Sequence, residues 1–445
     1  APLTAPNGGR LPCGAFCLSP TGSPAVARPS ILDRGVLETV TFRARPWLIA
    51  LLAPLVCLAG PDPAEAAGPL VLFGGTLRVG GLVSGTISPT DDGYFNFVGY
   101  DDYGDSTLRR FRLAVNAELR LGRRAAVLTE IWSDNLRAPR VYALYLRLRP
   151  WTDRAFDVQA GLVPPVFGAF PRRRYAGENP LPGLPLAYQY LTTLREDAVP
   201  ARAEELVSKR GRGWRVGYSV GSPDRGPGVP LVNAELWDTG IQARIGRRPL
   251  SLAVSVTQGT LSYPLVRDDN DGKQIAARLA WTPGPELTLG VSGARGEFLS
   301  RELTDSLPPG SPASYPQEAL GVDAEYARGY WILRGELLWS RWSLPPLDDT
   351  RIETPQDSLG GYLEARYKLR PGLHLAGRAG HLWFRALPTG AGSETWEARV
   401  TRVEVGGGYA LRRQVLLKAA FQQNWRDGGR VRRESLVAAQ VVLWF

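Results

Sequence analysis

The sequence predicts an all-β chain closed as a transmembrane antiparallel β-barrel. Three observations carry that expectation: alternating runs that are commonly ten to thirteen residues long, connectors that alternate between short and long, and aromatic residues where the runs end. Successive side chains of a strand point to opposite faces, so a period of two marks a strand with one buried or oily side.

The rows come first. Phe111, Leu113, Val115, Ala117, Leu119 and Leu121 share one face, and Arg110, Arg112, Asn116, Glu118 and Arg120 the other. Similar rows are Leu250 to Val256, Ile275 to Trp281, Leu359 to Leu369 and Val415 to Phe421, and the last is Val437, Ala439, Val441, Leu443 and Phe445. A soluble sandwich also alternates, but its strands average about five or six residues. Crossing a membrane at a tilt takes about nine to eleven. No long segment has the 3.6-residue period of an amphipathic helix.

Connectors supply the second observation. Those near 122, 150, 247, 283, 328, 370 and 412 are short, and those at 89–107, 259–272, 298–316, 343–357 and 386–396 are long and polar. Short turns on one side and long loops on the other are the asymmetry of outer-membrane barrels. Trp281, Trp339, Trp342, Trp383, Trp425 and Phe445 stand at strand ends, as interfacial girdles require. Long and short connectors stay in phase from residue 76 to about 163, and from Phe445 back to about 221. The two halves disagree by one strand, which places a hidden crossing in 166–211, at "PLAYQYLTTL" (185–194). The expected count is eighteen strands, with sixteen as the runner-up.

Composition narrows the function. The chain has 445 residues and a net charge of +10, with 53 basic residues of which four are Lys (Lys209, Lys273, Lys368, Lys418). The basic residues are dispersed among acidic neighbours, unlike a nucleic-acid-binding stripe. Cys13, Cys17 and Cys57 all precede residue 58, which removes thiolate chemistry from the body of the chain. Arg43 and Arg45, the apolar run Trp47–Ala59 and "AEA" at 64–66 read as an export signal, so residues 1–66 are expected outside the fold and 67–445 within the barrel.

The stretch 161–213 lacks barrel alternation, and 164–211 is expected to fold inward as a constriction loop. There Arg172, Arg173 and Arg174 are consecutive, followed by Tyr175 and Glu178, a charge cluster suited to biasing a pore toward anions. The polar rows of the strands add Arg110, Arg112, Arg120, Arg147, Arg366, Lys368 and Arg378 as pore-lining residues. Sixteen basic against nine acidic residues on those rows suggest a mildly anion-favouring lumen, unless the charges pair across strands.

Catalytic and metal chemistry is not expected. His374 and His381 are seven apart on one strand and so face opposite ways. "RDDNDGK" (267–273) puts Arg267 and Arg278 at the ligand positions of a calcium loop and reads as a turn around Asn270–Gly272.

"FDVQAGLVPPVFGAF" (156–170) resembles the strand-then-"PFG" signature of the phosphate-selective porin superfamily, and "VVLWF" (441–445) resembles the assembly signal of Gram-negative outer-membrane barrels. The resemblance implies a sixteen-stranded trimeric anion pore with an infolded loop. Its pore is rich in Lys where this chain has Arg, so phosphate selectivity is not carried over. The expectation is a porin of the outer membrane, passing small hydrophilic or anionic solutes by diffusion. Its partners would be outer-membrane lipid, the barrel-assembly machinery through the Phe445 strand, and two further copies in a homotrimer, with no cofactor and no nucleic acid. A structural or adhesive barrel with a plugged lumen, or an outer-membrane enzyme, is the alternative.

Overall fold

The computed structural model describes residues 69–90, 106–151, 154–346, 355–390 and 392–445. The export signal and the rest of 1–66 lie outside the described residues.

Sixteen strands close on themselves. They are β1 (Leu77–Ile87), β2 (Leu108–Arg120), β3 (Ala125–Asp134), β4 (Arg140–Leu148), β5 (Ala155–Val163), β6 (Asp238–Arg247), β7 (Leu250–Thr257) and β8 (Gln274–Trp281), then β9 (Leu287–Glu297), β10 (Pro316–Arg328), β11 (Trp331–Trp342), β12 (Gln356–Arg370), β13 (Leu373–Phe384), β14 (Val400–Arg412), β15 (Val415–Arg426) and β16 (Arg433–Trp444). Each pairs antiparallel with its sequence neighbour, and β16 returns to β1 with Leu82 opposite Trp444 and Ile87 opposite Ala439. Closure leaves no sheet edge, the condition for a sheet surrounded by hydrocarbon. A short strand, Leu70–Leu72, covers Leu77–Val79 of β1. Phe445 exchanges both backbone hydrogen bonds with Gly81 at 3.1 Å, sealing the seam.

The eighteen-strand expectation is therefore corrected to sixteen. No barrel strand lies between Val163 and Asp238 among the described residues. Residues 185–194 are almost wholly buried, with one helical turn at Leu186–Gln189, and just before residue 221 the chain makes only a bridge of Val216 to Gly226 and the pairing of Val220–Gly221 with Ala198–Val199. Both segments are as apolar as a crossing because they pack inside the barrel, where burial selects the same side chains that lipid does.

The outer face is an apolar band. Leu363 is 73 % exposed, and Ile241, Ile275, Leu320, Val322 and Val405 stand outward on their strands in the same way. Trp281, Trp383, Trp425 and Phe445 lie exposed at strand ends, as expected of a girdle. Trp342 is a correction. It is fully buried, faces inward, and meets Phe298 and Trp396 edge-on, because the connectors after β9 and β13 fold over that part of the opening. A closed barrel, oily outside and polar within, is the form a chain takes in the outer membrane of a Gram-negative bacterium.

The interior is not empty. Phe167, Phe170, Leu181, Leu184, Leu186, Tyr188, Tyr190 and Leu194 of the β5–β6 connector form one buried cluster with Leu338, Tyr362, Ala376, Leu382, Ala420 and Leu436 of the inner wall. The hydrophobic core of this protein is thus inside the barrel, between the connector and strands β11–β16.

Candidate pore and constriction segment

The inward segment runs from residue 164 to 237, further than the expected boundary at 211. It enters through Pro164 and Pro165. Gly168 then adopts φ +75°, donates its N–H to Ser292 Oγ at 3.1 Å, and hands the chain to Ala169, whose N–H reaches Glu336 Oε1 at 2.9 Å. A Cβ at Gly168 would stand 2.5 Å from Tyr188 Oη, so this bend against the wall requires glycine.

A 3₁₀ turn follows at Phe170–Arg173, with Pro171 in its first turn. Three residues per turn place consecutive side chains about 120° apart. Arg172, Arg173 and Arg174 therefore leave the backbone in three directions and do not form one charge cluster.

Arg172 is exposed toward a cavity of about 570 Å³ bordered by Arg149, Arg154, Asp157, Arg244 and Arg278. It makes no ion pair or hydrogen bond among the described residues, and burial together with Arg244 and Arg278 pushes its pKa down. A guanidinium remains protonated at neutral pH regardless. Arg173 turns to the wall and pairs with Glu325 at 2.5 Å, near Tyr362 Oη at 3.4 Å. Arg174 is buried, donates to the carbonyl of Ala234 at 2.7 Å, and sits among Trp132, Tyr142, Tyr175 and Trp237. Tyr175 donates to Glu130 Oε2 at 2.8 Å. Glu178 is exposed, and partial burial raises its carboxyl pKa against the opposing pull of Arg173 and Arg334.

The expected wall residues divide the same way. Arg112 forms ion pairs with Asp134 at 2.6 Å and Glu235 at 2.8 Å, and Arg110 joins Glu235 at 3.2 Å. Arg120 and Arg147 share Glu118, at 3.3 and 3.0 Å, beside a cavity of about 420 Å³ rimmed by Arg123, Arg124 and Arg149. Arg366 is half-buried and Lys368 exposed, neither with a side-chain ion pair among the described residues. Arg378 is buried between Glu364 at 2.6 Å and Glu404 at 3.1 Å. Five of these seven wall cations are thus paired with carboxylates, whereas Arg366 and Lys368, and Arg172 and Arg244 at the larger cavity, have no ion pair among the described residues.

Several wall residues bind the segment itself. Lys418 donates to the carbonyls of Ala176 at 2.7 Å and Asn179 at 3.0 Å, and Arg402 reaches Gln189 Oε1 at 2.6 Å. Inward-facing His374 lies 3.3 Å from the carbonyl of Pro180, while His381 faces outward, 2.6 Å from Thr401, so the two share no site. At the other end Glu397, fully buried, accepts from Thr193 N at 2.8 Å, Gly211 N at 2.6 Å and Tyr190 Oη at 3.3 Å. Burial raises the pKa of that carboxyl. Spaces left between segment and wall are about 40 Å³ near Arg110 and Arg174 and about 20 Å³ near Val163 and Asp238.

Sequence reasoning missed Asp134, Glu235 and Glu397, the carboxylates that neutralise arginines or latch the segment, and the aromatic set around Arg174. Glu235 and Glu397 lie in connectors, where no period marks a facing direction. Asp134 ends β3 at its rim.

No family model matches the chain, and no curated protein matches its sequence. Solved structures do match. The outer membrane channel DcaP of Acinetobacter baumannii aligns with TM-score 0.51 and 12% identity over 83% of this chain and 97% of its own. OmpF of Salmonella typhi, in a complex with daunomycin, gives 0.50 and 11% over 83% and 97%. OmpT of Vibrio cholerae gives 0.50 and 10% over 84% and 100%. At such identities the likeness is one of fold: a porin-like barrel. Nothing matched singles out the phosphate-selective superfamily.

Proposed function

We propose that the chain is an outer-membrane porin passing small hydrophilic solutes by diffusion, with a mild preference for anions. One observation carries the preference. An inward cavity of about 570 Å³ is bordered by Arg149, Arg154, Arg172, Arg244 and Arg278 against the single carboxylate of Asp157. Arg278 is held by Asp323 at 2.6 Å, which leaves the others to set the field. A ring of cations in a confined, partly desolvated passage raises local anion concentration. The proposal assigns no catalytic step. Among the described residues no three His, Cys, Asp or Glu side chains are grouped to hold a metal.

A second reading has its own observation. Segment and wall share a buried apolar cluster, and the spaces between them near Arg174 and near Asp238 are about 40 and 20 Å³, as in a plugged barrel of structural or adhesive role. Reversal potentials of the refolded protein in a planar bilayer across a potassium chloride gradient separate the two. Chloride-favouring current supports the anion porin, cation-favouring current overturns the preference, and no current favours the plug. A homotrimer, and recognition of the Phe445 strand by the assembly machinery, complete the proposed partners besides lipid.

A further inference from the structure

The constriction segment buries a cation in an aromatic box. The Arg174 guanidinium carbon lies 4.2 Å from the ring centre of Tyr142, 4.7 Å from Trp132, 4.8 Å from Tyr175 and 5.8 Å from Trp237. All four are within the roughly 6 Å over which a ring face attracts a cation. The box has a rigid side, since Trp132 and Tyr142 stack at 3.7 Å with planes 3° apart on adjacent strands β3 and β4, and the Arg112 guanidinium lies 3.7 Å from the Trp132 ring centre. Carboxylates back it: Glu130 accepts from Tyr175 and Trp132, and Glu235 lies between Arg110 and Arg112.

Hydrogen bonding does not account for this placement. Arg174 is 6 % exposed and has five N–H donors, yet its hydrogen bonds go only to Ala234 O and the Tyr175 hydroxyl among the described residues. Its Nε and Nη2 are buried without an acceptor among the described residues. A buried donor left unpaired costs free energy, which the surrounding rings and the nearby carboxylates of Glu235 and Glu130 offset. A planar, weakly hydrated guanidinium suits aromatic surroundings with few acceptors; a compact, strongly hydrated ammonium does not.

We propose that this box is a binding site for small guanidinium cations, with Arg174 as its tethered occupant. The adjoining space is about 40 Å³, too little for a second cation beside the first. A free guanidinium therefore displaces Arg174 and, with it, the turn that carries Arg172 and Arg173. Binding is competitive with a side chain whose effective concentration is millimolar or above.

Detergent-refolded protein is titrated with guanidinium chloride at constant ionic strength, reading tryptophan emission, with sodium chloride and urea as controls for charge and denaturation. Arg174→Ala, which vacates the box, is expected to give a saturable change at a midpoint at least tenfold below any seen in the native chain. Adding Trp237→Phe to that variant raises its midpoint several-fold. A heat-modifiable Arg174→Ala barrel with no saturable response beyond the controls overturns the proposal. Should that variant not form a barrel, Arg174→Lys decides. Its hydrated ammonium yields to guanidinium at a lower concentration than the native side chain, and equal midpoints overturn the site.

Discussion

Arg378 on β13 donates from Nη1 to the carbonyl oxygen of Gly183 at 2.9 Å, joining the barrel wall to the segment inside it. The same guanidinium gives Nη1 to Glu404 at 3.1 Å, Nη2 to Asn179 at 2.8 Å and Glu364 at 2.6 Å, and Nε to Glu364 at 3.0 Å. All its N–H donors are used. Arg378→Ala strips the cation from Glu404, which is wholly buried, and weakens the hold on Glu364. Removing one partner of a buried pair costs about 3–5 kcal/mol. The expected outcome is a lower urea midpoint and easier proteolysis near 180–190, with Arg378→Lys intermediate. An unchanged midpoint would show that the segment does not depend on this anchor.

Charge in the vestibule and charge in ion pairs have different consequences. Arg172→Glu puts a carboxylate among Arg149, Arg154 and Arg244 and is expected to move the reversal potential toward cations, with Arg172→Ala part of the way. Arg112→Ala combined with Asp134→Asn removes a cation together with its carboxylate and is expected to leave selectivity nearly unchanged. Equal shifts from Arg172→Ala and that double variant would contradict this division.

The wall was legible in the sequence because a barrel strand repeats one rule along its length. The row Phe111–Leu121 and the row Ile275–Trp281 do alternate between lipid and interior, and the connectors between them keep their sides. The strand count failed where that rule stops. "PLAYQYLTTL" is as apolar as a crossing strand, yet Leu186, Tyr188 and Tyr190 bury against the inner wall, and apolarity alone does not distinguish that wall from lipid. The triplet Arg172–Arg174 was visible as charge. Its split into a vestibule cation, an ion pair and an aromatic-box cation depends on a 3₁₀ turn that only the backbone reveals.

Acidity tightens one contact of the segment. Burial pushes the Glu196 carboxyl up to about 6, with Asp197 adding to the rise. A folded pKa above the ordinary carboxylate value means that this stability is whole below about 4.5 and is lost as pH rises through about 6. The effect is at most about 2 kcal/mol, less because the group is only half-buried. Glu196 O accepts from Ser300 N at 2.9 Å, so exchange of that amide, referenced to intrinsic rates, is expected to be better protected at pH 5 than at pH 7. Equal protection would remove Glu196 from this role.

At the seam, a Cβ on Gly81 would stand 2.6 Å from the ring of Phe445 and 3.1 Å from the carbonyl of Ala114. Gly81→Val is expected to hinder pairing of β1 with β16 and reduce the heat-modifiable band on gels. A barrel yield equal to the native chain would mean that the ring moves freely aside.

The placement of residues 164–237 inside the barrel is tested most directly by a disulfide. A Cβ at Gly360, on the inner wall, would lie 3.1 Å from Cβ of Ala187 in the segment, close to the range of about 3.5–4.5 Å for bonded cysteines. The native cysteines, Cys13, Cys17 and Cys57, all precede residue 58, so peptides bearing the two introduced thiols are told apart from them by mass. In the refolded, heat-modifiable Ala187→Cys, Gly360→Cys variant, mass spectrometry after mild oxidation is expected to find the cross-linked peptide pair. Two free thiols that both react with a bulky maleimide would place the segment outside the lumen.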